Sequence, residues 1–98
     1  MEKRTPHCSL SAVKTLVRDG KVSATRSAFA GAAVLGIGFV EMVAVVSELT
    51  IKDFYKSMTT YADHRVWQDV YRPRTKFGDV YLKLTVIDGV LIVLFKEL

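Results

Sequence analysis

Apolar residues recur at helical spacing in the first half of the chain and at alternating positions in the second half, with the change just after Thr50. Ser9 can cap a first helix that ends at Gly20, and Thr25 or Ser27 begins a second one. The predicted helices therefore span residues 9–20, 25–35 and 39–49. The predicted strands span residues 21–24, 54–61, 66–71, 79–87 and 90–95, the first of them at a sheet edge.

Helices that precede an antiparallel meander are typical of an α+β domain, in which the helices pack on one face of the sheet. The 98 residues suffice for one small domain, so a single domain over residues 1–98 is expected. Residues 72–78, which contain Pro73, are predicted to form a loop between two strands.

The dipeptide Asp88-Gly89 is the strongest short hairpin signal in the sequence. A two-residue turn there fixes the register of the last two strands, so that one face is purely apolar and forms the core. On the other face Tyr81 lies directly across from Lys96, which brings a phenol and an ammonium group together. The pair also fits an amphipathic edge, in which Tyr81 merely covers the Lys96 stem.

Composition and charge narrow the function classes only modestly. The net charge of +4 is divided evenly between the two halves, which is compatible with nucleic-acid binding without requiring it. A single cysteine, Cys8, allows no internal disulfide and favours a reducing compartment. The charged amino terminus predicts no signal peptide. Residues 28–46 carry one charge and approach the length of a membrane span, but glycines interrupt them, which favours two buried helices.

Several kinds of catalytic site lack the residues they need. The histidines, cysteine and carboxylates are not clustered as metal ligands, and neither a glycine-rich phosphate loop nor a serine nucleophile elbow is present. His64 falls in a predicted turn, where an exposed imidazole is expected. Asp53, Asp63 and Asp69 are spaced as turn and surface residues. An enzyme with this sequence would therefore work with lysine, tyrosine, glutamine and arginine.

That set of side chains suits metal-free cleavage of RNA. In this reaction the 2′-hydroxyl of the substrate attacks the neighbouring phosphate, and the enzyme removes one proton, neutralises the phosphorane and protonates the leaving oxygen. Clustered cations supply the electrostatic stabilisation and shift the pKa of a neighbouring lysine or tyrosine. Aromatic rings such as Trp67, Tyr55 or Tyr71 are suited to stacking on unpaired bases.

Three long strings of the sequence carry a resemblance to a known family. They are "MEKRTPH", "DFYKSMTTYADHRVWQDVYRP" and "VYLKLTVIDGVLIVLFKE". With them the chain resembles the motility quorum-sensing regulator toxins, which are bacterial type II toxin–antitoxin proteins with a RelE-like microbial ribonuclease fold. The resemblance covers essentially the whole chain, although residues 32–46 are more apolar than in the family.

The resemblance implies a ribosome-independent mRNA endoribonuclease that cuts at GC-containing triplets. The residue content adds the expectation of a cytoplasmic enzyme that needs no metal or other cofactor. The resemblance also implies a partner antitoxin that joins a zinc-binding domain to a helix-turn-helix domain. Operator DNA would be bound only through that antitoxin. The glycines in residues 28–46 lead us to expect no membrane association. The active-site residues of the family map onto four positions of this sequence, Lys56, Gln68, Tyr81 and Lys96. Tyr55 and Arg72 are expected to contact the RNA.

Lys56 and Gln68 can share one site only if their strands are joined in the right register. An even loop around Asp63-His64 would place the two side chains on opposite faces of the sheet. We therefore predict an odd loop, for example over residues 62–64, or a β-bulge. Two other functions stay open: a non-catalytic regulator that binds RNA or a partner, and a membrane-associated toxin based on residues 28–46.

Overall fold

The computed structural model of the protein describes residues 1–97, so the last residue of the domain expected over residues 1–98 lies outside it. Its helices are α1 (Leu10–Arg18), α2 (Arg26–Val34) and α3 (Phe39–Ser47), followed by a single 3-10 turn at Ile51–Asp53. Its strands are β1 (Glu2–Lys3), β2 (Val22–Ala24), β3 (Phe54–Thr59), β4 (Trp67–Tyr71), β5 (Arg74–Thr75), β6 (Gly78–Ile87) and β7 (Val90–Glu97).

Side-chain caps fix where the first two helices begin. The Ser9 hydroxyl accepts a hydrogen bond from the Ala12 N–H at 3.1 Å, which confirms the predicted start of α1. Thr25, and not Ser27, caps α2, because its hydroxyl accepts from the Ala28 N–H at 3.1 Å. Helix α3 begins at the predicted residue but ends at Ser47, shortly before the predicted end.

The sheet has the strand order β1-β3-β4-β6-β7-β2, with β5 paired separately to β6. Strands β3, β4, β6 and β7 form the predicted antiparallel meander, and β2 lies parallel to β7 at the edge. The predicted α+β class is therefore confirmed. The loop predicted over residues 72–78 is wrong in part, because Arg74–Thr75 pairs with the start of β6. Strand β1 was not predicted, because two residues show no periodicity.

The core lies between the helices and one face of the last two strands. Five side chains from this face are no more than 2% exposed: Leu82, Leu84, Leu91, Val93 and Phe95. Val86, expected on the same face, is 38% exposed because it lies near the end of the hairpin. Helix α2 contacts β7 through Gly31, where a Cβ would lie 2.9 Å from the Cα of Lys96. The backbone of α2 therefore supports the strand that carries Lys96.

The apolar residues 28–46 are divided between the core and the surface. Ala32, Met42 and Val46 are buried, whereas Val34 and Val40 are 69% and 76% exposed. Within residues 1–97, no single helix is long and apolar enough to cross a membrane. Helices α2 and α3 meet that requirement only when they are counted together, and the pair is bent by 92°.

Candidate active site

The face of the sheet opposite the helices carries the residues predicted for the site. On β6 and β7 the five buried apolar side chains named above point into the core, so the residues that alternate with them lie on this open face. Tyr81 is paired with Lys96 as predicted, and the Lys96 ammonium lies 5.0 Å from the centre of the Tyr81 ring. This distance fits a cation–π contact, which both the catalytic and the amphipathic-edge interpretations allow.

Strands β3 and β4 bring Lys56 and Gln68 to the same open face. Lys56 is paired with Val70 and Met58 with Gln68, so the side chains of all four point to one side. The odd register predicted from the sequence is therefore confirmed. The register shifts once more between Phe54 and Lys56, which leaves Tyr55 at a bulge beside the site.

Lys83 lies between the two halves of the predicted site. One half is Lys56 and Gln68, and the other is Tyr81 and Lys96. It is paired with Val70 on one side and with Leu94 on the other, so that Lys56, Val70, Lys83 and Leu94 form one row across four strands. Neighbouring strands are about 4.8 Å apart, which places the Lys56 and Lys83 backbones about 10 Å apart. Lys83 was not among the predicted site residues, although alternation along the strand puts it on the same face as Tyr81, two residues away.

The amino-terminal strand adds a carboxylate that sequence reasoning missed. Strand β1 pairs with β3, and the Lys56 ammonium lies 3.0 Å and 3.2 Å from the two carboxylate oxygens of Glu2. The hydrogen bond to Glu2 raises the pKa of Lys56 above its usual range, and it lowers the pKa of Glu2. Lys56 is therefore held in its charged form.

Lys83 has the opposite electrostatic environment. Burial lowers the pKa of Lys83, and the nearby charges of Lys96 and Lys56 lower it further. Val70, which is paired with both Lys56 and Lys83, is fully buried although it lies outside the main core cluster. The lysine cluster, which consists of Lys56, Lys83 and Lys96, thus contains one lysine with a raised pKa, Lys56, and one with a lowered pKa, Lys83.

Asp69 is buried and not at the surface, so that expectation is wrong. It is 2% exposed, on the core side of β4. Its two oxygens accept hydrogen bonds from the His7 N–H at 2.8 Å, the Cys8 N–H at 2.9 Å and the Ser57 hydroxyl at 2.6 Å. Residues 7 and 8 cover this position, which a local pattern cannot reveal. The carboxylate ties the amino-terminal segment, and with it β1, to the centre of the sheet.

Tyr55 and Arg72 extend the positive surface on one side of the cluster. Tyr55 is 39% exposed, and its ring lies near two cations, with the Arg72 guanidinium carbon at 4.9 Å and the Lys56 ammonium at 5.4 Å from its centre. A depression of about 250 Å³ begins here. Its lining is mixed in charge and consists of Lys52, Asp53, Phe54, Tyr55, Arg72, Arg74 and Asp79.

A second depression, of about 460 Å³, lies on the other side of the cluster. It begins at Gln68 and Lys83 and continues over Met58 to Tyr61, whose ring is fully exposed. His64 in the same hairpin loop is exposed, as expected. In the described part of the chain, no three histidine, cysteine or carboxylate side chains come together as metal ligands.

The comparison with known proteins agrees with the resemblance found in the sequence. A family model described as "Motility quorum-sensing regulator, toxin of MqsA" matches residues 5–97. The chain belongs to this family of motility quorum-sensing regulator toxins. A curated member of the family, "mRNA interferase toxin MqsR" of Escherichia coli (strain K12), is 62% identical over 97 residues, and the match covers 99% of each chain.

The four positions that the motility quorum-sensing regulator family implies share one face of the sheet, together with Lys83. Tyr81 and Lys96 lie in one cross-strand row, Lys56 and Lys83 lie in the next, and Gln68 lies in a third. Such an arrangement can bind a phosphate with ammonium groups on two sides and present a phenol and an amide to its substituents.

Proposed function

We propose that this chain is the toxin of a type II toxin–antitoxin system and acts as an mRNA endoribonuclease. It cleaves at GC-containing triplets, without a metal and away from the ribosome, and thereby inhibits translation and growth. The observation that carries the proposal is the 62% identity, over 97 residues, to a protein named as an mRNA interferase. The gathering of Lys56, Gln68, Tyr81 and Lys96 on one face supports a mechanism.

The 2′-hydroxyl of the substrate attacks the adjacent phosphorus, which expels the 5′-oxygen of the next nucleotide. Tyr81 or a neighbouring lysine removes the proton from that hydroxyl. Lys56 and Lys96 stabilise the negative charge that develops on the phosphorane. Lys56 suits this role because Glu2 keeps it protonated and positioned until RNA arrives. A cation of the same cluster protonates the leaving oxygen.

The RNA strand crosses the open face between the two depressions. On one side Arg72 contacts a phosphate and the Tyr55 ring stacks on a base, since this ring is exposed and already lies beside two cations. On the other side Gln68, which is both donor and acceptor, holds a phosphate or a base edge. A single strand fits this face, because stacking needs unpaired bases.

The partner in the cell is an antitoxin, which the description of the family as the toxin of MqsA supports. We propose that the antitoxin contains a zinc-binding domain and a helix-turn-helix domain, and that operator DNA is bound through it alone. The proposed location of the complex is the cytoplasm, without membrane association.

Cleavage of a labelled RNA in the presence of EDTA tests the activity directly. Purified protein should cut the RNA at specific triplets and leave a 2′,3′-cyclic phosphate and a 5′-hydroxyl, because the 2′-hydroxyl is the nucleophile. An RNA with a single 2′-deoxynucleotide at the cleavage site should resist. Tyr81→Phe, which removes only the hydroxyl, and Lys96→Ala should each lower the rate by about 10²-fold or more.

Lys14→Ala provides the matched control, since Lys14 is exposed on α1, on the other side of the sheet. Full cleavage by both Tyr81→Phe and Lys96→Ala would remove these residues from the mechanism. Tight binding of RNA without cleavage would instead favour the non-catalytic regulator.

A further inference from the structure

Lys83 lies on the strand between those that carry Lys56 and Gln68 on one side and Lys96 on the other. Within the described residues the ion pairs of the chain involve Arg18, Lys56 and Arg65, and Lys83 takes part in none. Its ammonium lies 5.9 Å from the centre of the Tyr81 ring, and it borders the Gln68 depression. It therefore lies among the four family positions and forms no ion pair within the described residues.

We propose that Lys83 is the general acid of this site and gives its proton to the 5′-oxygen that leaves when RNA is cut. The proposal rests on the nuclease function proposed above and adds a residue that the family positions do not include. The 2′-oxygen forms a bond to phosphorus while the bond from phosphorus to the 5′-oxygen breaks. The 2′-hydroxyl proton goes to the base, the Lys83 proton goes to the 5′-oxygen, and water later reprotonates the Lys83 amine.

The charged and titratable groups that face Lys83 explain why it is suited to donate a proton. Its own strand contributes Tyr81, β7 contributes Lys96, and β3 contributes Lys56 together with its partner Glu2 from β1. Strand β4 contributes only the uncharged Gln68 and Val70. Burial lowers the pKa of Lys83 most, and the charges of Lys96 and Lys56 lower it further, while the one nearby carboxylate is held by Lys56.

Replacement of the leaving oxygen by sulfur distinguishes a proton donor from a simple cation. The probes are an RNA oligonucleotide that the wild-type protein cuts once and the same oligonucleotide with a 5′-bridging sulfur at that position. A thiolate leaves without a proton, because a thiol is far more acidic than an alcohol. Lys83→Met should slow single-turnover cleavage of the normal RNA by about 10²- to 10⁴-fold. The same variant should cut the sulfur-bridged RNA at a rate within about tenfold of the wild-type rate on that RNA, because its leaving group needs no general acid.

Lys83→Arg separates charge from proton donation. The guanidinium keeps the positive charge but is too weak an acid to donate its proton, so this variant should bind RNA normally and cut the normal substrate slowly. Lys14→Met, at an exposed position on α1, should behave as wild type, and thermal melting should show that all variants are folded.

Three results would overturn the proposal. Wild-type rates in folded Lys83→Met would do so, as would equal slowing of both substrates, which marks a purely electrostatic role; in either case the nuclease function would stand. Absence of cleavage by the wild-type protein itself would overturn the nuclease function and the role of Lys83 together.

Discussion

The Tyr71 hydroxyl is buried without a hydrogen-bond partner among the residues that the structure describes. The residue is fully buried. Burial, reinforced by the charge of Asp69, raises the pKa of Tyr71 to about 12. The ring packs edge-on against Phe54, with the ring centres 5.4 Å apart. Tyr71 therefore stabilises the core through its ring and not through its hydroxyl. The expectation that this ring could stack on an RNA base is wrong, because the ring is inside the core.

Tyr71→Phe should leave the free energy of unfolding unchanged or raise it by about 1 kcal/mol, because it removes an unsatisfied buried donor and keeps the ring. The pH dependence should differ as well. The folded state favours the neutral phenol, so the wild-type protein loses stability as the pH rises from 10 towards 12, and the variant lacks this contribution. Urea unfolding at pH 7 and at pH 11 measures both effects. A loss of more than about 2 kcal/mol at pH 7 would point to a hydrogen bond that supports the fold.

At the scale of elements, the contact between α2 and β7 decides where Lys96 lies. Gly31→Ala should destabilise the protein by about 1–3 kcal/mol, because the added methyl group collides with backbone atoms of Phe95 and Lys96. The cleavage rate should also fall, because β7 must move away from the helix. Thermal unfolding and cleavage assays measure the two effects.

Ala33→Ser is the control for that substitution. It adds one atom at an exposed position of the same helix and should change stability by about 0.5 kcal/mol or less. Wild-type stability of Gly31→Ala would show that α2 can shift without disturbing the strand.

Elements with a local signal could be predicted from the sequence, and those that depend on distant partners could not. The turn at Asp88-Gly89 fixed the register of β6 and β7, and through it the Tyr81–Lys96 pair. The requirement that Lys56 and Gln68 share a face predicted the odd register of the preceding hairpin. Strand β1 has two residues and pairs only with β3, so no periodicity could indicate it.

The catalytic role of the four family positions stays a prediction, because their proximity does not by itself establish chemistry. The sequence did not indicate that the Glu2 carboxylate contacts Lys56, or that Asp69 is buried. Both result from the path of the amino-terminal segment across the sheet, which brings residues 2, 7 and 8 to positions more than fifty residues further along the chain. Tertiary contacts of this kind carry no local pattern.

At the scale of the whole molecule, the amino-terminal strand connects the first residues of the chain to the candidate site. Glu2→Gln should lower the KM for RNA by up to about fivefold, because the carboxylate no longer competes with phosphate for Lys56. Steady-state cleavage at low ionic strength measures this change.

Glu48→Gln serves as the control for net charge, since Glu48 is exposed at the end of α3. An equal fall in KM in both variants would mean that the total charge of the protein matters and the Glu2–Lys56 pair does not.

The Glu2–Lys56 pair also affects which anions the site can accept. Glu2 acts as a tethered counter-ion, and tethering on a short segment gives it an effective concentration of the order of millimolar at Lys56. A small free anion that displaces Glu2 replaces one contact to Lys56 by another, so it gains little binding free energy. A polynucleotide contacts several cations at once and releases many counter-ions, so it can displace the carboxylate. We therefore expect mononucleotides and inorganic phosphate to be weak inhibitors of a site that binds polymeric RNA well.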